Sequence, residues 1–332
     1  MKTPEVTIAI PTYNRADLLP RALESALSQT YKDIEVVVCD DGSTDTTQAS
    51  LANYRDDRLR VISQPRNVGM FENMNTCLGS ARGAYYLMLS DDDFLEPICL
   101  EALLQPWCKY EGLSMVYGQW WYHSSNGREL QVSAGPEVES GFSYISGYWQ
   151  GKRPTILHGV LFRTEDIRRV GGIQSGYAQD TMLTLRMAYE GHVAHVRKTV
   201  TNYCLQPGSN THRVGLFTSI RDMDSLLEMC VSVGREKRVP GAALCELERR
   251  VYRNLSKGAA AGIVSLVGRG SPRTLALREA YRLRKYLAHK LGLGILAVCV
   301  VACVPRGLIN ILRWTRKRLS ILSTERQYGF QD

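Results

Sequence analysis

Short apolar runs alternate with amphipathic stretches through the first 113 residues, and no other feature restricts the fold as much. Val6 to Ile10, Ile34 to Cys39, Leu59 to Ile62 and Ala84 to Leu89 read as strands. Val and Ile dominate the second of them, as in a parallel strand covered on both faces. Leu19, Leu23, Ala26 and Leu27 recur at helical spacing behind Asn14, which is expected to cap that helix. A helical stretch to about Tyr54 and another from Met70 to Leu78 complete the series. This βαβαβαβ order predicts an α/β fold, an open and mainly parallel sheet flanked by helices, joined by right-handed crossovers. Ligands of such sheets gather beyond the carboxyl ends of the strands.

The later chain is different. Leu113 to Tyr117 reads as another strand. Residues 118–155, rich in Gly, Ser, Trp and Tyr, predict a loop-heavy surface. Trp120-Trp121-Tyr122 and Tyr148-Trp149 serve there as stacking platforms or as packing under loops. The last hundred residues carry helical patterns, clustered arginines and an uncharged apolar run from Leu291 to Val304, broken by Pro305-Arg306 and resumed from Leu308 to Leu312. That run falls short of the ~20 apolar residues of a membrane span. Basic clusters at 282–290 and 313–318 flank it, and Trp314 suits the headgroup level. The expectation is an interfacial or re-entrant anchor, with a buried helical hairpin as the alternative.

The length of 332 residues fits one large α/β domain plus an appendage. The expected division is 1–113 and 114–215, two halves of one α/β domain, and 216–332, a helical, membrane-associating extension. The net charge of +8 concentrates late in the chain, whereas residues 1–115 are rich in Asp. That distribution points to an anionic membrane surface and away from nucleic acid as a partner. Nine cysteines without a C-x-x-C pair indicate reduced thiols, and the N-terminus lacks a signal-peptide core. The expected location is cytoplasmic, peripheral on the inner face of the cell membrane through the C-terminal region.

Each predicted strand ends in a polar cluster: Pro11-Thr12-Tyr13-Asn14-Arg15, Asp40-Asp41-Gly42-Ser43, Pro65-Arg66-Asn67-Val68-Gly69 and Asp91-Asp92-Asp93. Adjacent carboxylates at the rim of a core repel and lose water, a difficulty that a divalent cation removes; a solvated acidic loop is the other reading. Hard oxygen ligands suit Mn²⁺ or Mg²⁺ bridging to the phosphates of a nucleotide. Tyr13 is expected to stack on a base. Asp41, acceptor-only when ionised, suits the imide N–H of uracil or thymine and disfavours cytosine. Neither a Walker-type loop nor G-x-G-x-x-G follows the first strand, so metal and carboxylates are left to hold the diphosphate.

Taken together, Val6-Thr7-Ile8-Ala9-Ile10-Pro11-Thr12-Tyr13-Asn14-Arg15, Asp40-Asp41-Gly42-Ser43-Thr44-Asp45, Asn67-Val68-Gly69 and Ser90-Asp91-Asp92-Asp93 resemble the family-2 nucleotide-sugar glycosyltransferases, inverting enzymes of the GT-A fold. The resemblance is strong over residues 6 to about 115, moderate to about 215 and absent from the tail. It implies a hexosyl or deoxyhexosyl transferase with a nucleotide-sugar-binding half at 1–113 and an acceptor-binding and catalytic-base half at 114–215, and the Asp41 argument makes the expected donor a UDP- or dTDP-type sugar. The family's acidic element often begins with Asp where this chain has Ser90, which makes Asp92 the implied metal ligand, supported by Asp93, with Asp91 toward the nucleotide. It also implies a catalytic base in a later acidic motif; Gln179 replaces the usual Glu, and Asp180 is the candidate. Gln206 occupies the place of an expected His, with His212 displaced beyond it. His158, Gln179 and His212 are candidate acceptor or phosphate contacts. A membrane-attached transferase implies a lipid-linked saccharide acceptor in surface polysaccharide synthesis. The departures at 179 and 206 leave open a nucleotide-binding protein without transferase activity.

Overall fold

The computed structural model of the protein describes residues 3–125, 127–133, 135–155, 157–174, 179–205 and 216–252. The chain divides into two compact units, one of Met1–Arg213 with Met229–Pro240 and one of Val214–Glu228 with Gly241–Asp332.

The first unit is built on the expected sheet. Strands β1 (Val6–Thr12), β2 (Ile34–Asp40), β3 (Leu59–Ser63) and β4 (Tyr85–Met88) alternate with helices α1 (Leu19–Leu27), α2 (Thr47–Leu51) and α3 (Met70–Ser80). β1 lies between β2 and β4 and pairs in parallel with both, while β3 extends the sheet in parallel beyond β2. Every residue of β2 is buried, as its Val-rich run requires, whereas β3 exposes alternate residues as a strand lacking a further neighbour does.

The second half of the sheet is mixed. β5 (Phe94–Leu95), helix α4 (Cys99–Lys109), β6 (Leu113–Ser124), β9 (Val160–Arg163) and β10 (His192–Cys204) complete the order β3-β2-β1-β4-β9-β6-β10-β5. β9 runs antiparallel to both β4 and β6, and β10 runs parallel to β6. The predicted loop-rich surface after Tyr117 is instead ordered. β6 continues through Trp120-Trp121-Tyr122 to Ser124 and folds back as β7 (Gly127–Gln131); β8 (Val138–Ser140) and helix α5 (Gly141–Tyr148) follow. Aromatic side chains favour a pleated surface, and here that preference outweighs the interspersed Gly and Ser. Helices α6 (Thr164–Arg169), α7 (Gln179–Ala188) and α8 (Leu216–Glu236) follow, and residues 241–252 are helical. The core joins Ile8, Ile10, Leu23, Val36, Val38, Leu87, Leu100, Leu103, Val116, Leu161 and Val200, with Tyr86, Tyr117, Tyr144 and Phe162 also fully buried.

The edge of the sheet remote from the polar clusters is held by a buried acid. Glu35 accepts hydrogen bonds from Thr7 Oγ1 (2.7 Å), the Arg82 amide (2.7 Å) and Arg60 Nη1 (2.8 Å). Gly83 threads this network, donating its amide to Thr7 Oγ1 at 2.9 Å. A Cβ on Gly83 would lie 2.5 Å from Thr7 N and 2.7 Å from Val6 C.

The seven described cysteines are free thiols. Among the described residues no helix is long and apolar enough to cross a membrane. The run 291–312 and its basic flanks lie outside the described residues. Replacing Gly83 with Ala forces backbone apart and should destabilise the first unit by about 1–3 kcal/mol, read as a lower denaturation midpoint.

Candidate functional site

Parallel pairing of β1, β2 and β4 brings their carboxyl ends to one edge, where side chains bond the loops together. Pro11 lacks an amide proton, but β4 pairs with β1 only as far as Ala9, so the missing donor falls where no partner strand needs it. Asn14 does not cap α1, whose first turn has Leu18 at the cap position. It adopts φ 52° and pins a turn: its amide donates to Ser43 Oγ (2.8 Å) and its Oδ1 accepts from the Thr44 amide (2.8 Å). The Arg15 amide reaches Thr47 Oγ1 at 3.1 Å and the Ala16 amide reaches Asp45 Oδ2 at 3.2 Å. The loop is thus fixed by backbone while the Tyr13 ring stays 41% exposed.

Asp41 is buried. Its carboxylate accepts the amides of Val68 (2.7 Å) and Gly69 (3.0 Å), clamping the loop after β3 to the loop after β2. Gly42, at φ +69°, sits where a Cβ would lie 2.6 Å from the Arg66 carbonyl carbon. Asn73 on α3 donates to the Cys39 carbonyl at 2.7 Å from beneath. Asn67 stays exposed at the mouth.

The three aspartates after β4 separate into three environments. Asp91 accepts from Thr12 Oγ1 at 2.8 Å and lies 4.0 Å from Arg15 Nε. Burial pushes its carboxyl up to about 6, against the Thr12 hydrogen bond. Asp92 is half-buried, its carbonyl takes Arg21 Nη2 at 2.6 Å, and burial raises its carboxyl while Arg15 and Arg21 oppose that rise. Asp93 has no exposed surface: one oxygen accepts the Cys204 amide at 2.7 Å, and the other has no partner among the described residues. Burial drives its carboxyl well above the carboxylate range. Asp93 was expected at the metal beside Asp92, but it is turned inward and ties the acidic turn to the end of β10.

Among the described residues no three His, Cys, Asp or Glu side chains converge as a ligand set. Asp92 nonetheless fits a divalent cation that takes most of its ligands from phosphate and water. Mg²⁺ in particular is held by one or two carboxylates plus substrate oxygens. Burial raises the carboxyls of Asp92 and Asp93, and the nearby Arg15 and Arg21 offset only part of that rise.

Asp180 is the second residue of α7, and its Oδ1 accepts the Thr181 amide at 2.7 Å. It has an open face to water but is hemmed in by protein on its other sides, and the loss of water there raises its carboxyl above the usual range. His158 packs its ring on Tyr203 (centroids 4.7 Å, 21°) and against Trp120 (6.0 Å, 72°), with Nε2 unpartnered among the described residues. Burial lowers it to about 4, so it is a neutral ring at pH 7 and offers phosphate no charge. Gln179 opens α7; Gln206 and His212 lie outside the described residues. Arg21, Tyr203 and Thr181 were not anticipated, because nothing in local spacing marks a residue whose partner comes from another strand or helix.

Three comparisons bear on these features. The family model described as glycosyl transferase family 2 matches residues 7–174. Hyaluronan synthase of Pasteurella multocida is 39% identical over 218 residues, covering 63% of this chain and 21% of that protein. The chain spans only 17–22% of the chondroitin and hyaluronan synthases it matches. Among solved structures, Staphylococcus aureus TarS 1-349 in complex with UDP-GlcNAc superposes with TM-score 0.64 at 17% identity over 90% of each chain. The mannosyltransferase PcManGT of Pyrobaculum calidifontis, in complex with GDP-Man and Mn²⁺, gives 0.53 at 20% identity over 90% of this chain and 87% of that one. At these identities the likeness is one of fold.

The His158 environment carries a sign. Its folded value near 4 lies below the ordinary 6.5, so the unfolded chain binds more protons between those values, and stability falls as pH drops through that window. A histidine ring titration by NMR should leave the His158 resonance in its neutral position until about pH 4. His158→Phe should flatten the pH dependence of stability over the same range.

Proposed function

Because the chain belongs to glycosyl transferase family 2, we propose that it moves a sugar from a nucleoside diphosphate of the uridine or thymidine type to a hydroxyl of a saccharide acceptor, with inversion at the anomeric carbon. The observation that carries this reading is the joining of four strand-end loops, through Thr12–Asp91, Asn14–Thr44 and Asp41–Val68/Gly69, into one edge lined by an exposed tyrosine and a carboxylate turn.

The base of the donor stacks on Tyr13 beside Asn67 and Gly69. The lone pairs that Asp41 does not spend on the Val68 and Gly69 amides are the acceptors for an imide N–H. Arg15, already drawn toward Asp91 and Asp92, is the side chain best placed to turn to a phosphate. Asp92 would hold Mn²⁺ or Mg²⁺ on the diphosphate. When bound, such an ion neutralises charge gathering on the leaving group. Asp91 faces the ribose side of the turn, and Asp93 keeps the turn in register with β10.

Asp180 takes the proton from the acceptor hydroxyl as its oxygen bonds to the anomeric carbon and the bond to the diphosphate oxygen breaks. Its partial loss of water makes it a stronger base than an exposed carboxylate. Trp120, His158 and Tyr203 form an aromatic wall for the apolar face of an acceptor sugar, which is consistent with a neutral His158. The relatives' names, chondroitin and hyaluronan synthases, support a saccharide acceptor. The basic and apolar sequence at 282–318 supports an acceptor carried on lipid at an anionic membrane surface.

The test is a thermal-shift and transfer panel of UDP, dTDP, GDP and CDP and their sugars, with and without Mn²⁺. Stabilisation by UDP or dTDP that needs Mn²⁺ is expected. Asp180→Asn should lower turnover by about 10²–10⁴-fold with nucleotide binding intact. Asp92→Asn should weaken Mn²⁺-dependent UDP binding by about tenfold or more. Near-normal turnover in Asp180→Asn would remove the base assignment.

A further inference from the structure

One side chain joins the helix that follows the nucleotide loop to the segment that leads toward α7. Asn75 lies mid-way along α3, and its amide grips the backbone of Ile173, 98 residues away, through both of its polar groups. Its Nδ2 donates to the Ile173 carbonyl at 2.8 Å, and its Oδ1 accepts the Ile173 amide at 3.0 Å. The turn before Ile173 is shaped for that approach. Gly171 and Gly172 take φ +87° and +66°, and a Cβ on Gly172 would stand 2.7 Å from Asn75 Oδ1. Arg168 on α6 adds a second tie, its Nη2 donating to the Leu78 and Ala81 carbonyls at the end of α3 (3.1 and 2.7 Å).

Helix formation does not call for asparagine at this place, since mid-helix it is a poorer choice than Ala or Leu. Its amide carries an acceptor and donors that complement a peptide unit, so it stands in for a partner strand beside a stretch that lies outside the sheet. Ile173 is buried, and its backbone groups need partners there. On its other side α3 is bound to the nucleotide loops. Asp41 takes the Val68 and Gly69 amides just before the helix, and Asn73 donates to the Cys39 carbonyl at 2.7 Å. The far end of α7 has separate support from Tyr189, the next residue, whose hydroxyl donates to the Cys230 carbonyl at 2.6 Å. The near end carries Asp180, seven positions after Ile173; there Thr155 Oγ1 and Thr181 Oγ1 lie 2.9 Å apart.

We propose that Asn75 is a positioning residue: by fixing Ile173 it sets where the chain enters α7, and so where Asp180 stands relative to a donor held at the start of α3. This rests on the reading of Asp180 as the base. One helix then serves both halves of the reaction, its first residues following the nucleotide loop and its middle holding the approach to the base. A misplacement of about 1 Å between reacting groups costs up to about 10²-fold in rate, so the tie acts on turnover more than on nucleotide affinity.

The experiment compares Asn75→Ala with Asn73→Ala in the full-length chain, because the Asn73 bond to Cys39 stays within the nucleotide-side loops. Amide hydrogen exchange, Mn²⁺-dependent UDP affinity and kcat with the sugar nucleotide selected by the transfer panel are read for each. Asn75→Ala should speed exchange at Ile173 and at Leu183 and Thr184 in the first half of α7. It should keep the UDP Kd within about twofold and lower kcat by about 10-fold to 10²-fold. Asn73→Ala should leave exchange at Leu183 and Thr184 unchanged and act on UDP affinity instead. Asn75→Asp keeps the acceptor and loses the donor, so its exchange and kcat should fall between those of wild type and Asn75→Ala, and it carries the test if Asn75→Ala does not fold. In an Asp180→Asn background Asn75→Ala should lower the residual turnover no further, since a residue acting through another adds nothing once that other is gone. Unchanged exchange at Leu183 and Thr184, a loss of UDP affinity with kcat kept, or a full further loss of turnover in the Asp180→Asn background overturns the proposal. A fully active Asp180→Asn single variant would instead overturn the base assignment, whatever the exchange pattern of Asn75→Ala.

Discussion

The hydrogen bond from Thr12 Oγ1 to Asp91 Oδ2, 2.8 Å long, joins the end of β1 to the acidic turn after β4, and the arrangement of the site depends on it and its companions. Parallel strands deliver their ends to one edge but do not fix the loops that follow. Here side-chain oxygens take over from the ladder: Asn14 holds the turn after β2, and Asp41 holds the turn after β3. Each bond satisfies a backbone amide that would otherwise face a crowded, poorly hydrated rim. The same residues that make the strand ends polar therefore also make them rigid, and rigidity is what leaves Tyr13 and Asp92 as presented groups.

Charge is the second constraint. Asp91, Asp92 and Asp93 all lose water, and their carboxyls rise for that reason before any mutual repulsion is counted. Arg15 and Arg21 offset part of the cost from one side. Arg21 does so by donating to the Asp92 carbonyl and lying over the Phe94 ring at 4.7 Å. An edge arranged in this way stabilises itself incompletely, and a dication with phosphate oxygens would complete it.

The strands of the first half were legible because burial on both faces writes itself as uninterrupted Val and Ile, as in β2. The polar clusters were legible because a strand end has few other reasons to gather Asp, Asn and Gly. Asn14 misled because its preference for a helix cap and its tolerance of a left-handed turn are both local, and a bond to Thr44 decided between them. β6 beyond Tyr117 misled because Gly and Ser masked an aromatic stretch whose pairing with β10 is visible only in the folded chain. Asp93 was indistinguishable from Asp92 by sequence; the turn after β4, closed by the Asp93 amide on the Ser90 carbonyl, set one inward and left the other at the rim. The Thr155 and Thr181 hydroxyls meet at 2.9 Å from distant segments, and no spacing rule joins them.

The central claim, that this carboxylate rim holds a cation and that the cation holds a nucleoside diphosphate, is tested most directly by anomalous diffraction from crystals grown with Mn²⁺ and UDP. The account predicts a manganese peak bonded to an Asp92 carboxylate oxygen and to diphosphate oxygens, with the uracil on Tyr13. Manganese peaks only at lattice surfaces, or UDP bound elsewhere with Asp92 turned to solvent, would contradict it.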